Sequence, residues 1–227
     1  MKVFLAIISL VFGVSLACSA YKPAGSESLA GKNSTPAQTP GQTSNAGQQE
    51  KPSCQLTSAQ APVLSGLKVG MTPDQVLALF PGAKDDPEVR SNLSRPPSQF
   101  GVSSFVIRPG RYESKEKFAG INQITFTLLD GRVSNFTIGY NGPEYSHVDK
   151  FVAKFTEGTS LPAADQWEAY VGMDTQLKTL KCTDFEVSVF AGGQGGNLNY
   201  VLMKDLLADE KLKDRKKKAR EKATPGQ

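Results

Sequence analysis

The residues to be weighed for bond-making chemistry are few once spacing is considered. They are three cysteines (Cys18, Cys54 and Cys182), a single histidine (His147), carboxylates such as Glu144, Asp149 and Glu157, and the run Gly192-Gly193-Gln194-Gly195-Gly196. Acid–base or nucleophilic chemistry needs a base within hydrogen-bond reach of a reacting group and a partner to orient it. No nucleophile pattern lies near His147, and its place at a helix start predicts a solvated first-turn residue. The three carboxylates form no recognisable acid/base pair. The glycine run lacks the Lys-Ser/Thr that follows a phosphate-binding loop and lies between two strand-like segments, so it reads as a hairpin tip. With no CxxC and one histidine, a metal site is not expected, and no motif implies a cofactor. Trp167, Tyr170 and Phe185 read as core or edge aromatics.

The firmest chemistry is that of address. Residues 1–20 have the form of a secretory leader: Lys2, an apolar run from Val3 to Leu16, then small residues. The run is short for a bilayer span. Ser15-Leu16-Ala17-Cys18 resembles the lipobox of bacterial lipoproteins, with Ser15 where Leu is usual. The resemblance implies acylation of Cys18 and a lipid anchor. Ordinary cleavage after Ala17 or Ala20 is the rival.

Residues 21–60 are rich in Gly, Ser, Thr, Pro, Gln, Asn and Ala. Such a stretch cannot bury enough surface to offset its ordering entropy and is expected to be a disordered linker. The part from Tyr21 to Ser53, as a flexible coil, would reach roughly 30 Å. In an oxidising envelope the two remaining cysteines, Cys54 and Cys182, are expected to pair. The closed loop would exceed a hundred residues and contribute about 4–5 kcal/mol in the chain-entropy model.

Residues 61–204 have ordinary globular composition, and residues 205–227 form a charged tail. The net charge of +4 is concentrated in that tail and does not imply a basic domain face. Its acidic residues dilute the charge and no aromatics interleave for base stacking, so nucleic acid is not an expected partner.

The globular part opens on Gly66-Leu67-Lys68-Val69-Gly70-Met71-Thr72-Pro73-Asp74-Gln75-Val76. Thr72 can cap a helix and form a capping box with Gln75, with Pro73 at the first helical position. Met71 and Val76 have the spacing of a hydrophobic staple. Lys84 to Gln99, with three prolines, reads as a surface loop. Ser103 to Ile107 reads as a strand. Asn122–Leu129 and Val133–Tyr140 flank Asp130-Gly131 and read as a hairpin. A three-residue loop, Asp130-Gly131-Arg132, would set Ile124, Phe126 and Leu128 opposite Ile138, Phe136 and Ser134. That register gives one apolar face, whereas a two-residue loop mixes the faces. Ser146 should cap a second helix carrying Val148, Phe151, Val152 and Phe155. Trp167 to Met173 reads as a connector or short strand. Phe185–Phe190 and Leu198–Met203 form a second hairpin. Val69-Gly70-Met71 recurs as Val171-Gly172-Met173, which could mark a duplicated unit. Lys204 to Lys222 should be a helix that leaves the domain and frays. The fold class is α+β: a short N-terminal helix and a second helix packed on an antiparallel sheet.

Gly66, Gly70-Met71-Thr72 and Val76 resemble the opening of the SmpA/OmlA (BamE-like) outer-membrane lipoprotein domains, over about Leu64 to Tyr140. The resemblance implies helices before a three-stranded antiparallel sheet and residence in the bacterial envelope. The unit is also similar to that of the β-lactamase-inhibitor-protein fold. The expected function is therefore a non-catalytic, membrane-tethered envelope domain that binds an unidentified protein partner. The alternatives are an exported enzyme acting on envelope material, with a cleft around Glu144, His147 or Asp184, and a soluble inhibitor or sequestering module.

Overall fold

The computed structural model describes residues 54–142, 145, 147–172, 175–192 and 198–223. They lie in the unit Gln49–Gln227; Met1–Gln48 falls outside the described residues. Cys18, Glu144, Ser146 and the residues 193–197 also fall outside them.

The first helix among the described residues is α1 (Pro73–Leu77), set as its sequence dictates. The Thr72 hydroxyl accepts from the Gln75 N–H at 3.3 Å, and the Gln75 side chain accepts from the Thr72 N–H at 2.9 Å. Met71 and Val76 are both buried. The stretch expected to be a loop contains a second helix, α2 (Pro87–Ser94). Asp86 caps it, its carboxylate accepting from the N–H groups of Glu88 (2.8 Å) and Val89 (3.4 Å). Pro87 is thus a helix starter at its first position, where a missing donor costs nothing, and not a breaker.

Seven strands follow: β1 (Val102–Ile107), β2 (Ile121–Leu129), β3 (Arg132–Tyr140), β4 (Glu168–Gly172), β5 (Thr175–Lys181), β6 (Phe185–Gly192) and β7 (Leu198–Asp205). They form one antiparallel sheet in the order β1-β2-β3-β7-β6-β5-β4. Helix α3 (Val148–Thr156) joins the halves, and α4 (Leu206–Ala223) ends the chain. With its helices and sheet the protein is α+β. Val171-Gly172 ends a strand whereas Val69-Gly70 precedes a helix cap, so the two Val-Gly pairs do not occupy equivalent places.

The β2–β3 register differs from expectation in an instructive way. Ile124 and Phe126 do face Ile138 and Phe136. The loop, however, has two residues, Asp130 (φ 51°) and Gly131 (φ 75°), and Leu128 faces Val133. A bulge restores the apolar face, with Ser134 as the extra residue. The Ser134 hydroxyl donates to the Thr127 carbonyl at 3.1 Å. The odd residue needed to align the face sits in the strand and not in the turn.

One face of the sheet is the core. Its central row runs Phe105, Phe126, Phe136, Met203, Val187 and Leu180 across β1 to β5, all buried. Phe80 and Leu77 beside α1, and Val148, Phe151 and Val152 of α3, join that core. Helix α3 has no side-chain cap of its own; the Val148 N–H donates to the Gln176 side chain at 2.6 Å. Cys54 and Cys182 are disulfide-bonded, with Cα atoms 4.5 Å apart and a sequence separation of 128.

Helix α4 does not leave the domain. Lys211 and Arg215 both bind Asp130 in the β2–β3 turn. The helix therefore lies across the end of the sheet, with Ala208, Leu212, Arg215 and Ala219 on its half-buried side.

Candidate interaction surface

Alternation in the strands sends every second side chain to the face opposite the core. Among the described residues, α1, α2 and α3 pack toward the core or the β1 edge and α4 crosses the sheet end, which leaves this second face to solvent. Its upper row runs Gln123, Gly139, Tyr200, Phe190, Leu177 and Tyr170 across β2, β3, β7, β6, β5 and β4. Phe190 and Tyr200 stack with ring centroids 4.6 Å apart. Tyr170, on the edge strand, is 63% exposed, an unusual state for a large aromatic. The middle row is Val106, Thr125, Thr137, Leu202, Ser188, Thr179 and Glu168. In it the Thr179 and Ser188 hydroxyls bond each other at 3.0 Å. A lower row carries an ion pair, Lys204 to Glu186 at 2.8 Å.

Gly139 interrupts the upper row. A side chain there would meet only the Gln123 backbone oxygen at 3.6 Å and the Gln123 side chain at 3.8 Å. Its absence leaves a notch of about 210 Å³ walled by Gln123, Thr125, Thr137 and Tyr200. An aromatic stripe beside a polar notch suits an inserted side chain, because such anchors dominate protein interfaces. Burial holds the Tyr200 phenol above its usual value, so it stays a hydroxyl at neutral pH.

A second concavity, of about 570 Å³, lies between α3 and the end of the β2–β3 pair. Val63, Ile121, Tyr140, Tyr145, Phe151 and Phe155 supply apolar walls, and Lys154 and Glu157 stand at the rim. Those two pair with each other at 2.7 Å. Burial pushes the Tyr140 phenol up to about 12, so this wall is neutral.

Among the described residues, those weighed for chemistry form no shared cluster. His147 precedes α3, Asp149 pairs with Lys178 at 2.5 Å, and Glu157 is occupied by Lys154. Asp184 binds Ser58, its carboxylate accepting from that hydroxyl at 2.9 Å. Trp167 is buried, donating its Nε1–H to the Pro162 carbonyl at 3.0 Å, and Phe185 is fully buried. No cluster of His, Cys, Asp and Glu able to hold a metal occurs among the described residues. No described helix is long and apolar enough to cross a membrane.

The aromatic stripe is not legible in the sequence. Phe190 and Tyr200 stand out in an alternating hairpin, but β5 carries no strand signal of its own, and without it Leu177 and Tyr170 cannot be placed in the same row. The chain matches no protein-family model, no curated protein and no solved structure.

Proposed function

We propose that this chain is a non-catalytic domain of the bacterial envelope, held to a membrane through Cys18, that docks a protein partner on its open sheet face. The reading rests on one observation: Tyr170, Leu177, Phe190 and Tyr200 form an aromatic and apolar row on a face that no described element covers. Its composition matches interface cores, where aromatics are enriched and charge is depleted. The leader and the lipobox-like Ser15-Leu16-Ala17-Cys18 support the address, and the likeness of Gly70-Met71-Thr72 to the SmpA/OmlA opening supports the same compartment.

The test places a photocrosslinking amino acid at Tyr170, or at Tyr200, in the intact chain in its own cell. A discrete protein adduct from both sites, absent from a control at Glu116 and lost in Gly139→Val, is the expected result. Adducts that are equally frequent from Glu116, or unaffected by filling the notch, would overturn the reading. Mass spectrometry of the mature N-terminus reads the anchor: a diacylglyceryl Cys18 is expected, and an N-terminus at Tyr21 removes it.

A further inference from the structure

The last helix sorts its charges by side. At 100° per residue, Lys213, Lys216, Lys217 and Arg220 (i, i+3, i+4, i+7) share one side of α4. Glu210, Asp214 and Glu221 form an acidic strip directly beside it, flanked on its far side by Lys218 and Lys222. Asp209 lies within the basic side and pairs with Lys213 at 2.8 Å, and Glu210 stands at its border, also acting on Lys213. Lys213, Lys216, Lys217 and Arg220 are exposed, whereas Ala208, Leu212, Arg215 and Ala219 face the protein. The folded helix therefore lines up four exposed cations with fewer carboxylates in and beside their row.

The stripe has a fixed place. Asp130 holds α4 through Arg215 and Lys211. At its other end the Leu206 N–H donates to the Asp184 carbonyl at 2.9 Å. The same Asp184 binds Ser58 through its carboxylate, and next to it Cys54 is bonded to Cys182. The chain therefore enters the folded body at the end of the sheet that α4 crosses. Any anchor ahead of residue 54 is joined to the folded body at this end of the sheet.

We propose that the basic side of α4 rests on an anionic bilayer surface, its cations facing lipid phosphates. The inference rests on the reading of a membrane-tethered chain. The stripe has no aromatic or apolar anchor, which a protein interface would need and a diffuse anionic surface does not. Charge complementarity and the place of Cys54 at this same end of the sheet together select the bilayer.

The experiment uses the exported full chain carrying an environment-sensitive fluorophore at Lys217→Cys, mixed with phosphatidylcholine vesicles with or without about 30% phosphatidylglycerol. Energy transfer to a headgroup-labelled lipid should be at least about twofold greater on the anionic vesicles and should vanish in ~0.5 M KCl. Lys213→Gln, Lys216→Gln and Arg220→Gln together should abolish that difference while the circular dichroism of the protein stays unchanged. Equal transfer on both vesicle types, or a difference that survives the triple substitution, overturns the proposal. So does equal competition by soluble polyglutamate at matched charge, because the stripe would then seek acid and not a surface. Flotation with neutral vesicles reads the Cys18 anchor separately, so loss of the anchor and loss of α4 contact are distinguishable.

Discussion

The guanidinium of Arg215 grips the carboxylate of Asp130 with two bonds, 2.8 and 2.7 Å long, across 85 residues of sequence. Arg215 also donates to the Phe100 carbonyl at 2.7 Å, so one side chain ties α4 to the β2–β3 turn and to the entry of β1. Asp130 occupies the left-handed region, φ 51°, which aspartate and asparagine tolerate better than most residues.

Asp130→Asn keeps that backbone preference and removes the charge. Amide exchange across residues 208–219 of α4 should rise about threefold, the scale of an exposed bidentate pair, with β-sheet protection unchanged. The hydrogen bonds from Arg215, then those from Lys211, hold the Asp130 carboxyl far below the usual carboxylate range. Its contribution is therefore complete above the ordinary value of about 4 and is lost only as pH falls below it. Exchange measured on descending pH should show α4 still docked near pH 4 in the native chain. In the variant the docking should show no dependence on this group.

Besides Tyr200, two tyrosines are raised furthest and should titrate latest. Burial, then the hydrogen bond its hydroxyl gives Asp86 at 2.9 Å, pushes Tyr112 up to about 12; burial does the same for Tyr140. Native phenols with raised values bind protons that the unfolded chain has released. Stability should thus be full below about 10 and fall as pH rises through 12. Absorbance titration should show two phenols ionising with alkaline unfolding. Removing one hydroxyl by Tyr140→Phe should delete one of these late ionisations and shrink the alkaline loss.

Breaking the link between Cys54 and Cys182 by Cys182→Ser should cost about 4–5 kcal/mol in denaturant unfolding, the chain-entropy value for so long a loop. Limited proteolysis should then cut between residues 54 and 64 first, since Cys54, Leu56 and Ser58 are held to β5 and the β5–β6 turn only by a few bonds. Cleavage confined to sites before residue 54 in the variant would contradict this.

Gly131→Ala should destabilise the β2–β3 turn by about 1–2 kcal/mol. A Cβ there meets nothing within 4 Å, so the loss is backbone strain at φ 75° and not a clash. Ser134→Ala, at the bulge, should cost about 1 kcal/mol for the bond to Thr127. Equilibrium urea unfolding of both variants checks the order.

Local signals in the sequence are readable wherever the structure answers locally. The Thr72–Gln75 box depends on four consecutive residues and is present as read. Asp86-Pro87 carries the same kind of signature, but the prolines around it argue for a loop and mask α2. Strand β5 is hidden for a different reason. Its leucines, 177 and 180, lie three apart and point to opposite faces, and the residue that restores alternation on the core side is Lys178. That lysine is tolerated because Asp149 and the Ala164 carbonyl receive its ammonium. No period-two rule can anticipate a charge satisfied by distant partners. The docking of α4 is illegible likewise, because Asp130 and Arg215 meet only after the sheet has formed. The stripe of Tyr170, Leu177, Phe190 and Tyr200 draws on four strands and shares that property.

The bond between Cys54 and Cys182 also has a mechanical reading. A pull on the chain ahead of residue 54 passes through sulfur directly into the turn between two inner strands, β5 and β6. It bypasses Thr72 and the whole N-terminal run, which would otherwise peel away first. Load then spreads along neighbouring strands, so force applied ahead of residue 54 reaches the sheet without first loading the opening helix.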